Sequence, residues 1–426
     1  MQNTFITGMG TVCSIAQNTD EFSSSLRRGV CGIGYLPQVP QASSQPGPVN
    51  IGAAIKEFSF SRQLSCSDLP AHMLEKADEC AARAPYPIQT SVLAALQAWQ
   101  QAQLHERPIP EHRIAMVVAS DNAYQAYQYE SMLRFQQAPE YLSPRYPLHA
   151  LATDHVGTIS EILSIQGEGF SVGGASASGN VAIVKGMQLL QLGLADACVV
   201  IGALSDLSPL SLQGFHNLGA MGGKRFCGQP EQACRPFDEQ HEGFIPGQGA
   251  GCLILESEQS IERRGALKFA RILGGSLLLD GNRLANPSEA GEARSMRLCL
   301  EQAGIAPHQV DYINTHGTSS PLGDITELDA IRQVFQNHLA ELWINSTKGL
   351  TGHCLFSAGV IEAIACILQM RDSFLHPNIN LDKPIDRECR FVGGTTIDAR
   401  IDIAMSNSFG FGGINSSILF ERQNLV

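Results

Sequence analysis

The sequence lacks the features that mark membrane-spanning, secreted and nucleic-acid-binding proteins. No apolar run reaches the roughly 18 residues that a bilayer-spanning helix needs. The N-terminal residues show no basic segment followed by an apolar stretch, so we expect no signal peptide and a cytoplasmic location. The formal net charge of −12 opposes binding to a phosphate backbone, which requires a basic face. We therefore expect no nucleic-acid partner and no membrane partner.

The twelve cysteines form no CxxC pair and no cluster with histidine at zinc-ligand spacing. Scattered cysteines of this kind are typical of reduced, buried thiols, and we expect no metal site. A hydrophobic content of 44% with 16% charged residues is typical of a globular protein. The 426 residues are enough for two or three domains.

Apolar strand-like segments alternate along the chain with segments of helical periodicity. Strands are predicted at residues 4–9, 113–119, 197–201, 251–256, 269–273, 310–314, 342–344 and 401–407. Helices are predicted at residues 18–28, 88–103, 288–303, 324–335 and 358–370, with another that follows Ser176 and ends at Gly193, and residues 43–50 predict a loop. This alternation favours an α/β protein with mainly parallel sheets covered by helices.

Two similar halves, residues 1–256 and 257–426, suggest an internal duplication, although no residue-level repeat is visible. A single large α/β domain without symmetry is the alternative.

Ser176 lies in the segment Phe-Ser-Val-Gly-Gly-Ala-Ser-Ala-Ser-Gly at residues 170–179, between an apolar run and an amphipathic helix. Such a turn places the side chain at a helix N-terminus, where free N–H groups and the helix dipole favour negative charge. Taken alone, a serine there is typical of a helix N-cap. The surrounding glycines permit close backbone approach and favour a reactive site instead.

Three later segments carry further polar groups. Residues 314–318 read Asn-Thr-His-Gly-Thr, residues 346–353 read Ser-Thr-Lys-Gly-Leu-Thr-Gly-His, and residues 407–413 read Asn-Ser-Phe-Gly-Phe-Gly-Gly. A lone histidine is usually structural, but His316 and His353 both lie in loops rich in glycine and threonine. Neutral imidazoles that donate to one thioester oxygen would form an oxyanion hole without a metal.

In order and glycine context, these four segments strongly resemble the β-ketoacyl-acyl-carrier-protein synthases over almost the whole chain. The resemblance implies a thiolase-like fold, with duplicated βαβαβαββ halves in a five-layer α/β/α/β/α sandwich. It implies that His316 and His353 polarise the thioester carbonyl and that Lys348, otherwise an ordinary surface lysine, pairs with Glu362. It also implies that Phe411 gates the acyl pocket, while its backbone N–H joins that of the nucleophile in a second oxyanion hole.

The same resemblance implies a carrier-protein partner and a homodimer. Thr318 and Ser320 match hydroxyls that bind the phosphopantetheine arm, which arrives attached to the substrate, so we expect no cofactor of the protein's own. Arg83, Lys224 and Arg225 fall near segments that form the docking face for the acidic carrier protein. An ordinary solvated surface is the alternative for these three residues.

Ser176 stands where the family has a nucleophilic cysteine. A hydroxyl ionises far less readily than a thiol, and the histidines are expected to serve the carbonyl rather than activate the serine. Decarboxylation of malonyl-carrier-protein needs no nucleophile, because the released electron pair enters a stabilised enolate that is then protonated to acetyl. The sequence resembles the serine-type ketosynthase-like decarboxylases of polyketide β-branching, which supply acetyl units to an HMG-CoA-synthase-like enzyme.

Three alternatives remain open at the level of sequence. The protein is a serine-dependent acyltransferase or condensing enzyme, a non-catalytic partner resembling chain-length factors, or an ordinary condensing enzyme with an introduced Cys→Ser change. Chain-length factors generally lose the histidines as well, which this chain keeps. Cys354 and Phe356 are bulkier than the small residues often found after the second histidine, which predicts a narrowed acyl tunnel; as a nucleophile, Cys354 has the wrong backbone context.

Overall fold

The computed structural model describes residues 3–36 and 50–424, so the predicted loop at residues 43–50 lies outside the described residues except for its last position. Within this part of the chain, no helix is long and apolar enough to cross a membrane. The strands are β1 (Thr4–Cys13), β2 (Gly34–Tyr35), β3 (Ile51–Gly52), β4 (Ile114–Ala119), β5 (Gly169–Val172), β6 (Ala197–Gly202), β7 (Gly249–Ser257), β8 (Ala270–Leu279), β9 (Tyr312–Asn314), β10 (Trp343–Asn345), β11 (Phe374–Leu375), β12 (Arg390–Phe391), β13 (Ile397–Asp398), β14 (Ile403–Gly410) and β15 (Ile414–Arg422).

The helices are α1 (Thr19–Arg28), α2 (Phe60–Ser65), α3 (Ala71–Ala81), α4 (Tyr86–Gln101), α5 (Gln125–Gln137), α6 (Tyr146–His149), α7 (Thr153–Leu163), α8 (Ser178–Gln191), α9 (Pro209–Asn217), α10 (Glu258–Arg264), α11 (Glu289–Ala303), α12 (Pro321–Phe335), α13 (Lys348–Thr351) and α14 (Ala358–Asp372).

The strand pairing repeats between the two halves of the chain. In the described residues, eleven strands form one sheet in the order β12-β10-β9-β14-β15-β8-β1-β7-β6-β4-β5, and β2–β3 and β11–β13 form two small separate pairs. The first strand of each half, β1 or β8, pairs antiparallel with the last, β7 or β15. That last strand pairs antiparallel with β6 or β14, and two parallel pairings follow. With the intervening helices, each half runs βαβαβαββ, as predicted.

The helices divide the core into layers. Helices α8 and α14 contact strands of both halves and form the middle layer, while α4 and α7 cover the outer face of the first set of strands. Helix α11, with α12 packed beside it, covers that of the second. Three apolar clusters follow these interfaces, one in the middle and one under each outer layer. This is the thiolase-like five-layer α/β fold expected from the sequence. The predicted boundary after residue 256 stays a prediction, because β1 and β8 pair and join the halves in one sheet.

Several local signals are confirmed. Asn18 caps α1 by accepting the Glu21 N–H at 2.9 Å, and Gly29 ends the helix in the left-handed region at φ +64°. The predicted strands at 4–9 and 269–273 were too short, since β1 continues to Cys13 and β8 to Leu279. Their interior glycines lie under packed helices: a Cβ on Gly10 would lie 2.0 Å from the Ala94 carbonyl oxygen. Glycine here marks close helix packing rather than the end of a strand.

The two middle helices begin with the same turn. A single 3-10 turn precedes each helix, and its first residue has a left-handed backbone, φ +48° at Ala175 and φ +52° at Leu355. The helices then cross at a glycine pair: a Cβ on Gly179 would lie 2.7 Å from the Val360 nitrogen, and a Cβ on Gly359 would lie 2.7 Å from the Asn180 nitrogen. The duplicated turn places Phe356 at the position corresponding to Ser176.

Candidate active site

Ser176 is the middle residue of the 3-10 turn between β5 and α8, and its side chain is half-buried. The turn packs closely against Gly410 at the end of β14, where an added Cβ would lie 2.4 Å from the Gly174 carbonyl oxygen. This contact joins the serine turn of the first half to the glycine-rich hairpin of the second. The Ser176 Oγ lies 2.9 Å from Nε2 of His353, which also belongs to the second half.

The hydrogen bonds of His353 fix its neutral tautomer. The backbone N–H of Leu355 donates to Nδ1 at 3.3 Å, so the ring proton resides on Nε2. Nε2–H then donates to the Ser176 Oγ. His353 is held by its own backbone, which donates to Ile245 O at 2.7 Å and accepts from Gly247 N at 2.9 Å. In this arrangement His353 is a hydrogen-bond donor toward the serine, not a base that removes its proton.

His316 lies beside His353. The two ring centroids are 5.5 Å apart with nearly perpendicular planes, and the Phe409 ring packs against His316 at 5.9 Å. The backbone N–H groups of His316 and Gly317 each donate to the Glu327 carboxylate at 2.8 Å, which fixes the loop. Nδ1 of His316 has no hydrogen-bond partner among the described residues.

Both histidines are neutral at neutral pH. Burial and the nearby Lys348 ammonium lower the pKa of His353 well below its usual value of 6.5. Burial, Lys348 and His353 lower the pKa of His316 well below the same value. Two neutral imidazoles with N–H groups can therefore polarise a thioester oxygen placed between them.

Lys348 and Glu362 form a buried ion pair. Nζ of Lys348 lies 2.5 Å from Oε1 of Glu362, and both side chains are almost fully buried, which excludes the surface alternative for Lys348. Burial raises the pKa of Glu362 to about 6, against the lowering effect of Lys348. Neighbouring Cys354 is buried as well, and burial raises the pKa of its thiol, so it does not supply a thiolate.

Phe411, Thr318 and Ser320 lie on loops that continue the segments of the site. Phe411 is 40% exposed on the turn between β14 and β15, where Gly412 and Gly413 have φ angles of +87° and +69°. Thr318 and Ser320 follow His316 before α12, and their hydroxyl oxygens lie 2.9 Å apart. The gating and phosphopantetheine-binding roles of these residues stay predictions.

Arg83, Lys224 and Arg225 are exposed. Arg83 lies between α3 and α4, and the other two lie between α9 and β7. The backbone N–H of Arg225 donates to the Glu242 carboxylate at 2.9 Å, so an acidic group lies close to this basic pair. Their docking role stays a prediction.

Glu327 was missed by sequence reasoning. It lies on α12, eleven residues after His316, and only the fold brings its carboxylate back to the histidine loop. Asn407 donates to the same carboxylate at 3.3 Å. Burial raises the pKa of Glu327 to about 7. The signal in the sequence is a carboxylate at an otherwise buried position of a predicted helix.

Comparisons with known proteins identify the family of this chain. The chain matches the models of the beta-ketoacyl synthase N-terminal domain over residues 1–260 and C-terminal domain over residues 269–382. It is 37% identical over 417 residues to the polyketide biosynthesis malonyl-ACP decarboxylase PksF of Bacillus subtilis (strain 168), covering 98% of this chain and 96% of that protein. It is 30% identical over 424 residues to 3-oxoacyl-acyl-carrier-protein synthase 2 of Coxiella burnetii, covering 98% of each.

Among solved structures, a beta-ketoacyl synthase from Burkholderia phymatum STM815 superposes with a TM-score of 0.86 at 25% identity, covering 100% of both chains. The chain belongs to the β-ketoacyl synthase family.

Proposed function

We propose that this protein decarboxylates malonyl-acyl-carrier-protein to acetyl-acyl-carrier-protein. The observation that carries the proposal is the direction of the hydrogen bond between His353 and Ser176. A serine nucleophile needs a base that takes its proton, whereas Ser176 accepts a hydrogen bond from His353. The groups left for chemistry are the two neutral imidazoles, which suit enolate stabilisation rather than acyl transfer.

The reaction follows from these donors. When the malonyl group binds, its thioester oxygen replaces the Ser176 Oγ as the acceptor of the His353 Nε2–H and accepts a second N–H from His316. The bond between the carboxylate carbon and the methylene carbon breaks, CO2 leaves, and the electron pair enters the enolate. A proton from solvent then adds to carbon, which gives the acetyl thioester. Burial and the charge of Lys348, which Glu362 pairs, keep both imidazoles neutral, and no covalent bond to Ser176 forms.

The substrate supplies its own phosphopantetheine arm. We propose that this arm enters past Phe411 and hydrogen-bonds to Thr318 and Ser320, and that the carrier protein docks near Arg83, Lys224 and Arg225. The similarity to a protein named a polyketide malonyl-ACP decarboxylase supports this substrate. On this basis we propose that the acetyl product serves polyketide β-branching.

The test is intact-protein mass spectrometry of malonyl-carrier-protein after incubation with the enzyme. We expect loss of CO2, a rate within a few-fold of wild type for Ser176→Ala, and a loss of about 100- to 1,000-fold for His316→Ala or His353→Ala, the usual effect of removing one oxyanion donor.

A covalent acyl-Ser176 adduct, or loss of turnover in Ser176→Ala with the fold intact, would instead favour the serine-dependent acyltransferase. No turnover by wild type would favour a non-catalytic partner of another synthase.

A further inference from the structure

An apolar cluster lies directly against His353. It consists of buried Met221, Phe244 and Leu355, with Leu207, Leu212, Phe215, Ala220 and Phe356 packed around them. The Phe244 ring meets the His353 ring edge-on at 5.5 Å, and Phe215 meets Phe244 edge-on at 5.4 Å. The cluster therefore forms one wall of the space in which a thioester would react.

A cavity of about 780 Å³ lies on the other side of this cluster. Leu207 and Leu212 belong to both, and the cavity wall also includes Ser205, Pro246 and Gly247. Gly247 donates its N–H to the His353 carbonyl, so the cavity reaches the back of the histidine. Among the described residues that line the cavity, neither Ser176 nor either active-site histidine is present.

Phe356 lies beside the cavity, next to Ser205 of its wall, although it does not line the cavity itself. Its backbone N–H donates to the Ser205 Oγ at 3.4 Å, and its half-buried side chain packs on the cluster. The turn that carries Phe356 contacts the turn that carries Ser176, in the duplicated arrangement described above. Phe356 therefore links the Ser176 turn to Ser205, a residue of the cavity wall.

We propose that Phe356 determines acyl-group specificity by closing the cavity to the thioester site. The cavity has the size of a small-molecule pocket, and most of its lining is apolar, which suits an alkyl chain. With the ring in place, the reacting space holds a malonyl or acetyl group and excludes longer chains. This inference rests on the proposed function, since it limits the acyl group of the same thioester site.

The experiment compares Phe356→Ala with Leu133→Ala, which trims the cavity wall on α5 away from the cluster. Binding of acetyl-pantetheine and octanoyl-pantetheine is measured by isothermal titration calorimetry. We expect Phe356→Ala to bind the octanoyl thioester at least about tenfold more tightly than wild type, because the chain enters the cavity. Acetyl-pantetheine binding should be unchanged, and Leu133→Ala should resemble wild type for both ligands.

Phe356→Leu keeps most of the apolar volume and serves if the alanine variant does not fold; an intermediate gain is expected. Equal octanoyl binding by wild type and the folded Phe356 variants would overturn the inference. Malonyl-carrier-protein turnover is measured separately in the same preparations. Turnover without a gain in octanoyl binding rejects the closure alone, whereas a gain in binding without wild-type turnover rejects the proposed function alone.

Discussion

Glu327 fixes the loop of His316, a candidate catalytic residue, without being a candidate itself. Its carboxylate holds two successive backbone N–H groups at His316 and Gly317 although it lies in a buried environment. The backbone donors favour the ionised form, but burial prevails and raises the pKa to about 7 from the usual 4.5. The position of His316 is therefore tied to a carboxyl group that titrates near neutral pH.

This pKa predicts a pH-dependent contribution to stability. The folded protein binds a proton at Glu327 that the unfolded chain releases near pH 4.5, so the contribution is full below that pH and is lost as pH rises to about 7. Between pH 5 and pH 8, the unfolding free energy of wild type relative to Glu327→Gln should fall by roughly 2–3 kcal/mol. Denaturant titrations at the two pH values measure this difference.

The matched control is Glu301→Gln, which removes an exposed carboxylate from α11 and should leave the pH dependence of wild type unchanged. If the unfolding free energies of wild type and Glu327→Gln differ by the same amount at both pH values, the titration does not belong to Glu327.

At the scale of elements, the crossing of α8 and α14 decides where Ser176 and His353 lie relative to each other. The helices approach at the Gly179–Gly359 pair, one turn after Ser176 and its counterpart Phe356. Since Ser176 precedes one helix and His353 precedes the other, a change in this crossing moves the Ser176 Oγ relative to His353.

Gly179→Ala therefore should destabilise the protein. The added Cβ would lie 2.7 Å from Val360 N and 2.9 Å from Gly359 Cα, which are backbone atoms that cannot rotate away. We expect a loss of about 1–3 kcal/mol in unfolding free energy, as for other overpacked cores, together with reduced turnover. Gly157→Ala in α7 has open space around its Cβ and should be neutral or slightly stabilising. Equal stabilities for the two variants would exclude a tight crossing.

Sequence reasoning recovered the elements whose signals are local. The caps of α1 and the apolar periodicity of α8 predicted those helices, and the glycine-rich motifs predicted the loops of Ser176, His316 and His353. It missed β15, whose buried polar residues Asn415, Ser416 and Ser417 find their partners on segments distant in sequence, among them β8 and β14. The role of Glu327 was missed for the same reason, because its hydrogen-bond partners lie on a different loop.

At the scale of the whole molecule, one edge of the sheet is available for pairing with a second copy of the chain. Strand β5 is the last strand of the described sheet, and Ser171 on it donates to Ala152 O at 3.1 Å, beside α6. Exposed Leu148 and Leu151 lie in this region, and an open edge next to apolar surface is a template for pairing. We propose a homodimer through this face.

Sedimentation velocity checks the homodimer. Wild type should sediment at twice the mass of one chain, and Leu148→Glu, which places a charge on a side chain that is 64% exposed in the single chain, should shift it toward monomer. Leu192→Glu changes a 72% exposed leucine after α8 and should leave the dimer intact. A monomeric wild type, or dissociation by Leu192→Glu alone, would reject this face.

The division of the active site between the halves has a practical consequence. Ser176 comes from the first half and both histidines come from the second, and the chain passes between them through α10 and a short connection to β8. Helices α8 and α14 cover each other, so each half leaves an apolar face bare without the other. A chain opened at this connection would give two polypeptides, and only a reassembled pair would contain the complete site. The fold is therefore suited to a split enzyme reporter.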